Sequence, residues 1–206
     1  MNDNNILAVI LAGGKSKRFG EDKNLAKLGS ISLIEHTIYK IREKFKKILI
    51  IANNDLKVEE FKDIEIIPDH IKGNLGPLVG VLTAMKWAKH SKENYKWIAT
   101  FPSDTPFFDS SIIEKYEKKI IKNDSPLYFV RSDDKRHNIF GLWSLDLLDI
   151  LEKDIVKNNF RKVEDWANKI GVKTINIKFK KFDPFLNINT KEDLIEAEKI
   201  LKDYKK

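Results

Sequence analysis

A run of apolar residues, Ile6 to Ala12, leads without a polar break into Gly13-Gly14-Lys15-Ser16-Lys17-Arg18-Phe19-Gly20-Glu21-Asp22-Lys23. An unbroken apolar run bounded by glycine reads as a strand buried on both faces, and such strands belong to parallel sheets covered by helices. Parallel neighbours need long crossover connections, so a chain that opens this way must supply helices next. The segment after the strand carries glycines at 13, 14 and 20 and cations at 15, 17, 18 and 23. Without a Cβ the backbone can turn its N–H groups outward and come close to a ligand. Amides and cations at the carboxyl edge of a parallel strand suit a polyphosphate. A Walker A loop is excluded because Glu21-Asp22 follows Gly20, and G-x-G-x-x-G is absent. The loop is a phosphate binder of another kind, or only a tight turn.

The rest of the chain supplies the crossovers. Ser32-Leu-Ile-Glu35 is a capping box opening a helix, with Ile34, Ile38, Ile41 and Phe45 on one face. Ile48 to Ala52 is a second buried strand ending at Asn53, a short helix is expected over Leu56–Phe61, and Ile64 to Pro68 is a third strand ending at Asp69. Pro77 takes a first helical position, and Leu78, Val81, Leu82, Met85 and Ala88 carry the helical period through Lys89. Trp97 to Phe101 is a fourth strand, running into Pro102-Ser-Asp-Thr-Pro106. Ser111-Ile-Ile-Glu114 reads as another capping box, opening a helix to about Lys122. From Ser125 the pattern changes. Leu127–Val130 and Ile139–Trp143 flank a charged turn, Asp146–Lys157 and Val163–Ile170 are helical, and Lys173–Phe179 alternates weakly. Thr190 and Asp193 cap a last helix that turns Leu194, Ala197 and Leu201 inward. Four strands alternating with helices up to residue 122, then a hairpin and a returning strand, predict a three-layer α/β/α domain with a mixed sheet.

Composition removes several function classes. There is no cysteine, hence no disulfide, thiolate metal site or cysteine nucleophile, which fits a reducing cytoplasm. Residues 1–5 have no basic n-region, so no signal peptide is expected, and no apolar run approaches the roughly 20 residues of a membrane span. The net charge of +7 comes from 38 basic and 31 acidic residues. It is spread as Lys-Lys pairs without interleaved aromatics, so it reads as a solvated surface and gives a nucleic-acid partner little support.

In such sheets ligands bind beyond the carboxyl ends of the strands. Four strand ends then present Gly13–Lys23, Asn53, Asp69–Gly80 and Ser103-Asp104 to one side. Asp104, stiffened between two prolines, is a candidate ligand for Mg²⁺, which takes one or two carboxylates plus phosphate oxygens and water. Its alternative is a turn aspartate bonding its own backbone. Lys23 and Arg18 could hold phosphate, the first as a point charge and the second bidentately, or could be surface cations. Asn53 and Asp69 could read a base, or could be Asx caps. Gly76 and Gly80, at a helix N-terminus, admit a base or sugar at close range or merely allow tight packing. His137 is the most tempting base, although a lone histidine near a charged turn is more often at the surface or partly buried. His36, His70 and His90 have no zinc-ligand spacing.

The loop, read as L-A-G-G-x-S-x-R-[MF]-G-x-D-K, resembles the signature of the MobA-like nucleotidyltransferases. Gly76-Pro-Leu-Val-Gly80, Pro102-Ser-Asp-Thr-Pro106 and Asn187-Ile-Asn-Thr190 with Glu192-Asp-Leu194 match the molybdenum cofactor guanylyltransferase pattern in the family's order, over positions 11 to 194. The resemblance implies one Rossmann-like nucleotidyltransferase domain over 1–206 with a mostly parallel mixed sheet, nucleotide on the N-terminal half and acceptor on the C-terminal half. It implies Mg²⁺-dependent transfer of GMP from GTP to molybdopterin, with release of pyrophosphate. It assigns GTP to Leu11, Ala12, Gly13, Gly14, Lys23, Asn53, Asp69, Gly76, Gly80 and Asp104. It assigns the metal to Asp104, molybdopterin to Asn187 and Asn189, and charge stabilisation to Arg18, Lys23 and Asp104. Proteins that deliver molybdopterin or accept the product are the implied partners. The chain departs from the family at Ser103, often Cys, at Lys191, often Pro, and at Asn138, where Pro follows the histidine. None of these removes an implied ligand. Rival readings are a cytidylyltransferase or sugar-phosphate nucleotidyltransferase of the same fold, and a non-catalytic nucleotide-binding protein.

Overall fold

The computed structural model describes residues 5–13, 19, 23–54, 56, 58, 61, 64–73, 75–179 and 181–204. In chain order the strands are β1 (Ile6–Leu11), β2 (Lys27–Leu28), β3 (Ile31–Ser32), β4 (Ile48–Ile51), β5 (Ile64–Ile67), β6 (Trp97–Pro102), β7 (Leu127–Ser132), β8 (Lys135–Ser144) and β9 (Lys173–Ile177). The helices are α1 (Leu33–Ile41), α2 (Pro77–His90), α3 (Ile112–Lys122), α4 (Leu148–Val156), α5 (Val163–Ile170) and α6 (Lys191–Tyr204). Among the described residues, seven strands form one sheet in the order β5-β4-β1-β6-β8-β7-β9, and β2 pairs with β3 as a small separate hairpin. Only β8 runs against the others in the large sheet.

Both faces of the sheet are covered, as the apolar run at β1 requires. Strand alternation sends Ile6, Ala8 and Ile10 to one core, with Ile34 and Ile38 of α1 and Ile112 and Tyr116 of α3. Leu7 and Val9 go to the other, with Leu82 and Met85 of α2, Leu151 of α4 and Trp166 of α5. Burying a side chain of this size contributes about 1.5–3 kcal/mol. A third, smaller cluster joins Leu28 and Leu33 to Phe107, Ile188 and Ala197 of α6. It brings the C-terminal helix beside β2.

Some local details differ from the sequence reading. The capping box at Ser32 is complete, but Ser111 is helical (φ −59°, ψ −15°) and makes no side-chain cap. There Asp109 Oδ1, two residues earlier, accepts from the Ser111 backbone N–H at 2.7 Å. The helix α1 stops at Ile41, so Phe45 reaches the core from beyond its end. The helix expected over Leu56–Phe61 falls largely outside the described residues. Among the described residues, no helix is long and apolar enough to cross a membrane.

Candidate active site

The parallel register aligns the carboxyl ends of four strands, with Leu11 beside both Ile51 and Pro102, and Ile51 beside Ile67. Beyond those ends lies a cleft of about 390 Å³. Leu11, Gly13, Asn53, Asp69, Gly76, Gly80, Asp104 and Asn187 all line it. Gly14 and Arg18 lie outside the described residues. Ala12 is buried: its N–H donates to Ile51 O at 2.9 Å and its carbonyl accepts from Asn24.

Asp104 gathers residues from two distant parts of the chain, around Lys23 and around Asn187. Lys23 Nζ donates to Asp104 Oδ2 and, at 2.9 Å, to Asn189 Oδ1. Their side chains are only 18% and 13% exposed, so the attraction between these charges is screened less than on an open surface. Asn187, with its amide nitrogen turned toward the carboxylate, donates to Asp104 Oδ2 at 3.1 Å and to Thr105 Oγ1 at 3.2 Å. In that orientation both amide atoms face complementary partners. Thr105 in turn donates to Asp104 Oδ1 at 3.3 Å. The backbone completes the arrangement, because Ile188 N–H donates to Asp104 O at 2.9 Å. Asp193 accepts from the N–H groups of Asn189 and Thr190, both at 2.8 Å, while Thr190 Oγ1 accepts from Asp193 N–H. The cap of α6 therefore fixes the segment from which Asn189 reaches Lys23, just after Asn187 reaches Asp104.

Asn53 and Asp69 form a reciprocal pair at the other end of the cleft. Asn53 Nδ2 donates to Asp69 Oδ2 at 2.7 Å, and Asp69 N–H donates to Asn53 Oδ1 at 3.0 Å. The turn after Asp69 is held by Thr83 of α2, whose Oγ1 accepts from His70 N–H at 2.9 Å. A Cβ on Gly80 would come within 3.1 Å of Leu11 Cδ2 and 3.6 Å of Asp69 Oδ1, so this glycine lets α2 sit close to the strand ends. Gly76 has φ +86° and faces the Arg161 carbonyl, so both of its features oppose a side chain.

The sequence reading passed over Asn24 and named Ser103 only as a strand-end residue and a family departure; both are buried beneath the site. It also passed over Asp154, a buried carboxylate of α4 that accepts from Lys169 at 2.5 Å and from Trp166 Nε1 at 3.0 Å. Asn24 carried a signal in its place beside Lys23; Asp154 carried none, because the partners that bury it, Trp166 and Lys169, lie in another helix.

His137 is buried in β8 and is no general base facing the cleft. Its ring stacks on Phe185 with centroids 4.3 Å apart, and Nε2 lies 2.6 Å from Ser132 Oγ. Burial pushes its pKa from the ordinary 6.5 down to about 4, with Asp183 opposing the shift and Lys135 adding to it. The unfolded chain therefore binds a proton here at pH values where the folded chain does not. The stability in question is complete above the unfolded pKa and is lost as pH falls through the window toward the folded one. Urea denaturation is expected to show a loss of roughly 2 kcal/mol from this site between about pH 7 and pH 5, and His137→Phe should flatten that part of the curve.

Parallel strands ending together over a lysine–carboxylate pair and a cleft of mixed apolar and polar lining make this an α/β nucleotidyltransferase fold. Residues 8–169 match the MobA-like NTP transferase domain. The chain belongs to the MobA-like NTP transferase family. A molybdenum cofactor guanylyltransferase of Rhizobium rhizogenes is 32% identical over 197 residues, which cover 93% of this chain and 90% of that one. The solved structure of molybdopterin-guanine dinucleotide biosynthesis protein A from Archaeoglobus fulgidus has a TM-score of 0.74 at 23% identity, covering 96% of this chain and 99% of its own. A Mycobacterium tuberculosis protein, Rv0371C, solved in complex with manganese, has a TM-score of 0.68 at 12% identity, covering 94% and 98%. These two structures share the fold.

Proposed function

We propose that this protein transfers GMP from GTP to molybdopterin, forming the guanine dinucleotide cofactor and releasing pyrophosphate. The observation that carries this reading is the junction at Asp104, where the nucleotide cleft meets the Asn187–Asn189 segment. A phosphate oxygen of the acceptor attacks the α-phosphorus of GTP, the bond to the bridging oxygen breaks, and pyrophosphate leaves in line. Such a reaction needs positioning and charge stabilisation more than covalent help. Asn53, Asp69 and Gly80 hold the nucleoside end, Lys23 and Arg18 meet the polyphosphate, and Asn187 and Asn189 face the acceptor. The nucleotide thus lies over the N-terminal half of one domain and molybdopterin over the C-terminal half.

The donor set suits a hard divalent ion. Asp104 offers a carboxylate at the cleft wall, the chain has no cysteine, and among the described residues no histidine lines the cleft to favour a softer metal. Mg²⁺ held by Asp104 would supply positive charge to the phosphate oxygens and the departing pyrophosphate. The manganese in the mycobacterial relative supports divalent-metal use. The reaction is placed in the cytoplasm, with molybdopterin handed over by a delivering protein.

A thermal-shift panel of GTP, CTP, ATP and UTP, each with and without Mg²⁺, tests the base assignment. GTP with Mg²⁺ at about 100 times its Kd is expected to raise Tm by roughly 6 °C, and the others by much less. A larger shift with CTP would transfer the assignment to cytidylyl transfer. Absence of a shift with every nucleotide would reject the nucleotide site.

A further inference from the structure

We propose that Asn24 is a positioning residue that sets the placement of Lys23 against Asp104. The backbone ladder between β1 and β6 ends at the pair Leu11–Pro102. Beyond that rung the link is made by side chains: Ser103 Oγ lies 3.4 Å from Leu11 O, and Asn24 joins Ala12 to Ser103. Its Nδ2 donates to Ala12 O at 3.1 Å, and its Oδ1 accepts from Ser103 Oγ at 2.6 Å. Asn24 and Ser103 are each 3% exposed. Each bridging residue directly adjoins a charged one, Lys23 on one side and Asp104 on the other.

The bridge ties the end of β1 to the end of β6 just past the last backbone pair between them. Lys23 lies in a short 3-10 turn, Lys23–Leu25, whose backbone is closed by Ala26 N–H donating to Lys23 O at 3.1 Å. The lysine side chain is long and has many rotamers, so its ammonium is placed well only if its backbone is. Asn24 pins that turn to the end of β1, and through Ser103 to the residue before the carboxylate. A buried amide with both ends bonded also excludes alternative packings, since leaving either end unpaired costs free energy.

A merely stabilising bridge would also destabilise the fold when cut, so the test separates placement from stability. This role rests on the transfer reaction proposed above. Asn24→Ala is compared with Ile38→Val, a core truncation on α1 that lowers stability without touching the bridge. Pyrophosphate release by Asn24→Ala is expected to show kcat reduced by roughly 10- to 100-fold, with KM for GTP within about threefold. The double variant Asn24→Ala/Ser103→Ala should be no slower than the worse single variant, because both cut one bridge. The ζ-ammonium ¹⁵N–¹H resonance of Lys23 should shift or broaden in Asn24→Ala and stay in place in Ile38→Val. A kcat equal to that of Ile38→Val, multiplying losses in the double variant, or an unmoved ammonium resonance would each overturn the role. If wild-type protein turns over no GTP, the guanylyl-transfer reading fails, and the ammonium resonance alone decides the placement.

Discussion

Asp104→Ala is expected to reduce pyrophosphate release by roughly 1000-fold, the size seen when one preorganised charge-stabilising group is removed from an active site. The carboxylate is the point where Lys23, Asn187 and Thr105 converge, and it is where Mg²⁺ would be held. Its loss removes the metal ligand and the partner that orients the lysine together. The fold should survive. Lys23 keeps Asn189 Oδ1, and the backbone bond from Ile188 to the carbonyl of residue 104 does not use the side chain. A circular dichroism melt near that of wild type, with pyrophosphate release at background, is the expected pair of results. Asp104→Asn keeps the shape without the charge and should be almost as slow. Turnover within tenfold of wild type in either variant would refute the assignment of Asp104.

Gly141→Ala is expected to destabilise the protein by roughly 3 kcal/mol, the upper part of the range for overpacking a filled core. A Cβ there would stand 2.5 Å from Trp143 Nε1 and 2.9 Å from Phe129 Cε1. Neither ring has room to retreat, since both are fully buried. Trp143 is stacked on Trp166 at 5.9 Å, and its Nε1 donates to Thr100 Oγ1 at 2.9 Å. Thr100 Oγ1 lies 2.6 Å from the carbonyl of Ile139, a residue that lines the cleft. Relief by rotating the indole would break that relay, so loss of stability should come with weaker nucleotide binding. Urea denaturation should show a lower midpoint at unchanged slope. A change below about 0.5 kcal/mol, the usual scatter of harmless surface substitutions, would show that the rings yield.

The residues that line the cleft were legible because the rule locating them is local. A strand shows itself by its own apolar run, and whatever follows its carboxyl end is on the ligand side. Leu11 closes such a run, Asn53 and Asp69 follow one directly, and Asp104 stands two residues beyond the end of β6. Caps are local too, yet Ser111 shows their limit. Asp109 reaches the same helix end first, so the S-x-x-E pattern is present without its bond. His137 was illegible for another reason. The aromatic face that buries it, Phe185, stands far along the chain, and nothing in the residues around the hairpin marks that contact.

By itself, then, the sequence determined a buried parallel strand, the crossovers it demands, and the list of polar residues that end on one side of the sheet. Short-range periodicity and the twist of parallel strands carry that much. Only the tertiary structure decided which of those residues touch. Lys23 meets Asp104 across 81 positions and Asn189 across 166, and Asn24 meets Ser103 across 79. Those contacts follow from β6 lying beside β1 and from α6 returning over the same edge. Strand order is chosen by the packing of the two cores together, a sum over the whole chain that no local stretch of residues contains.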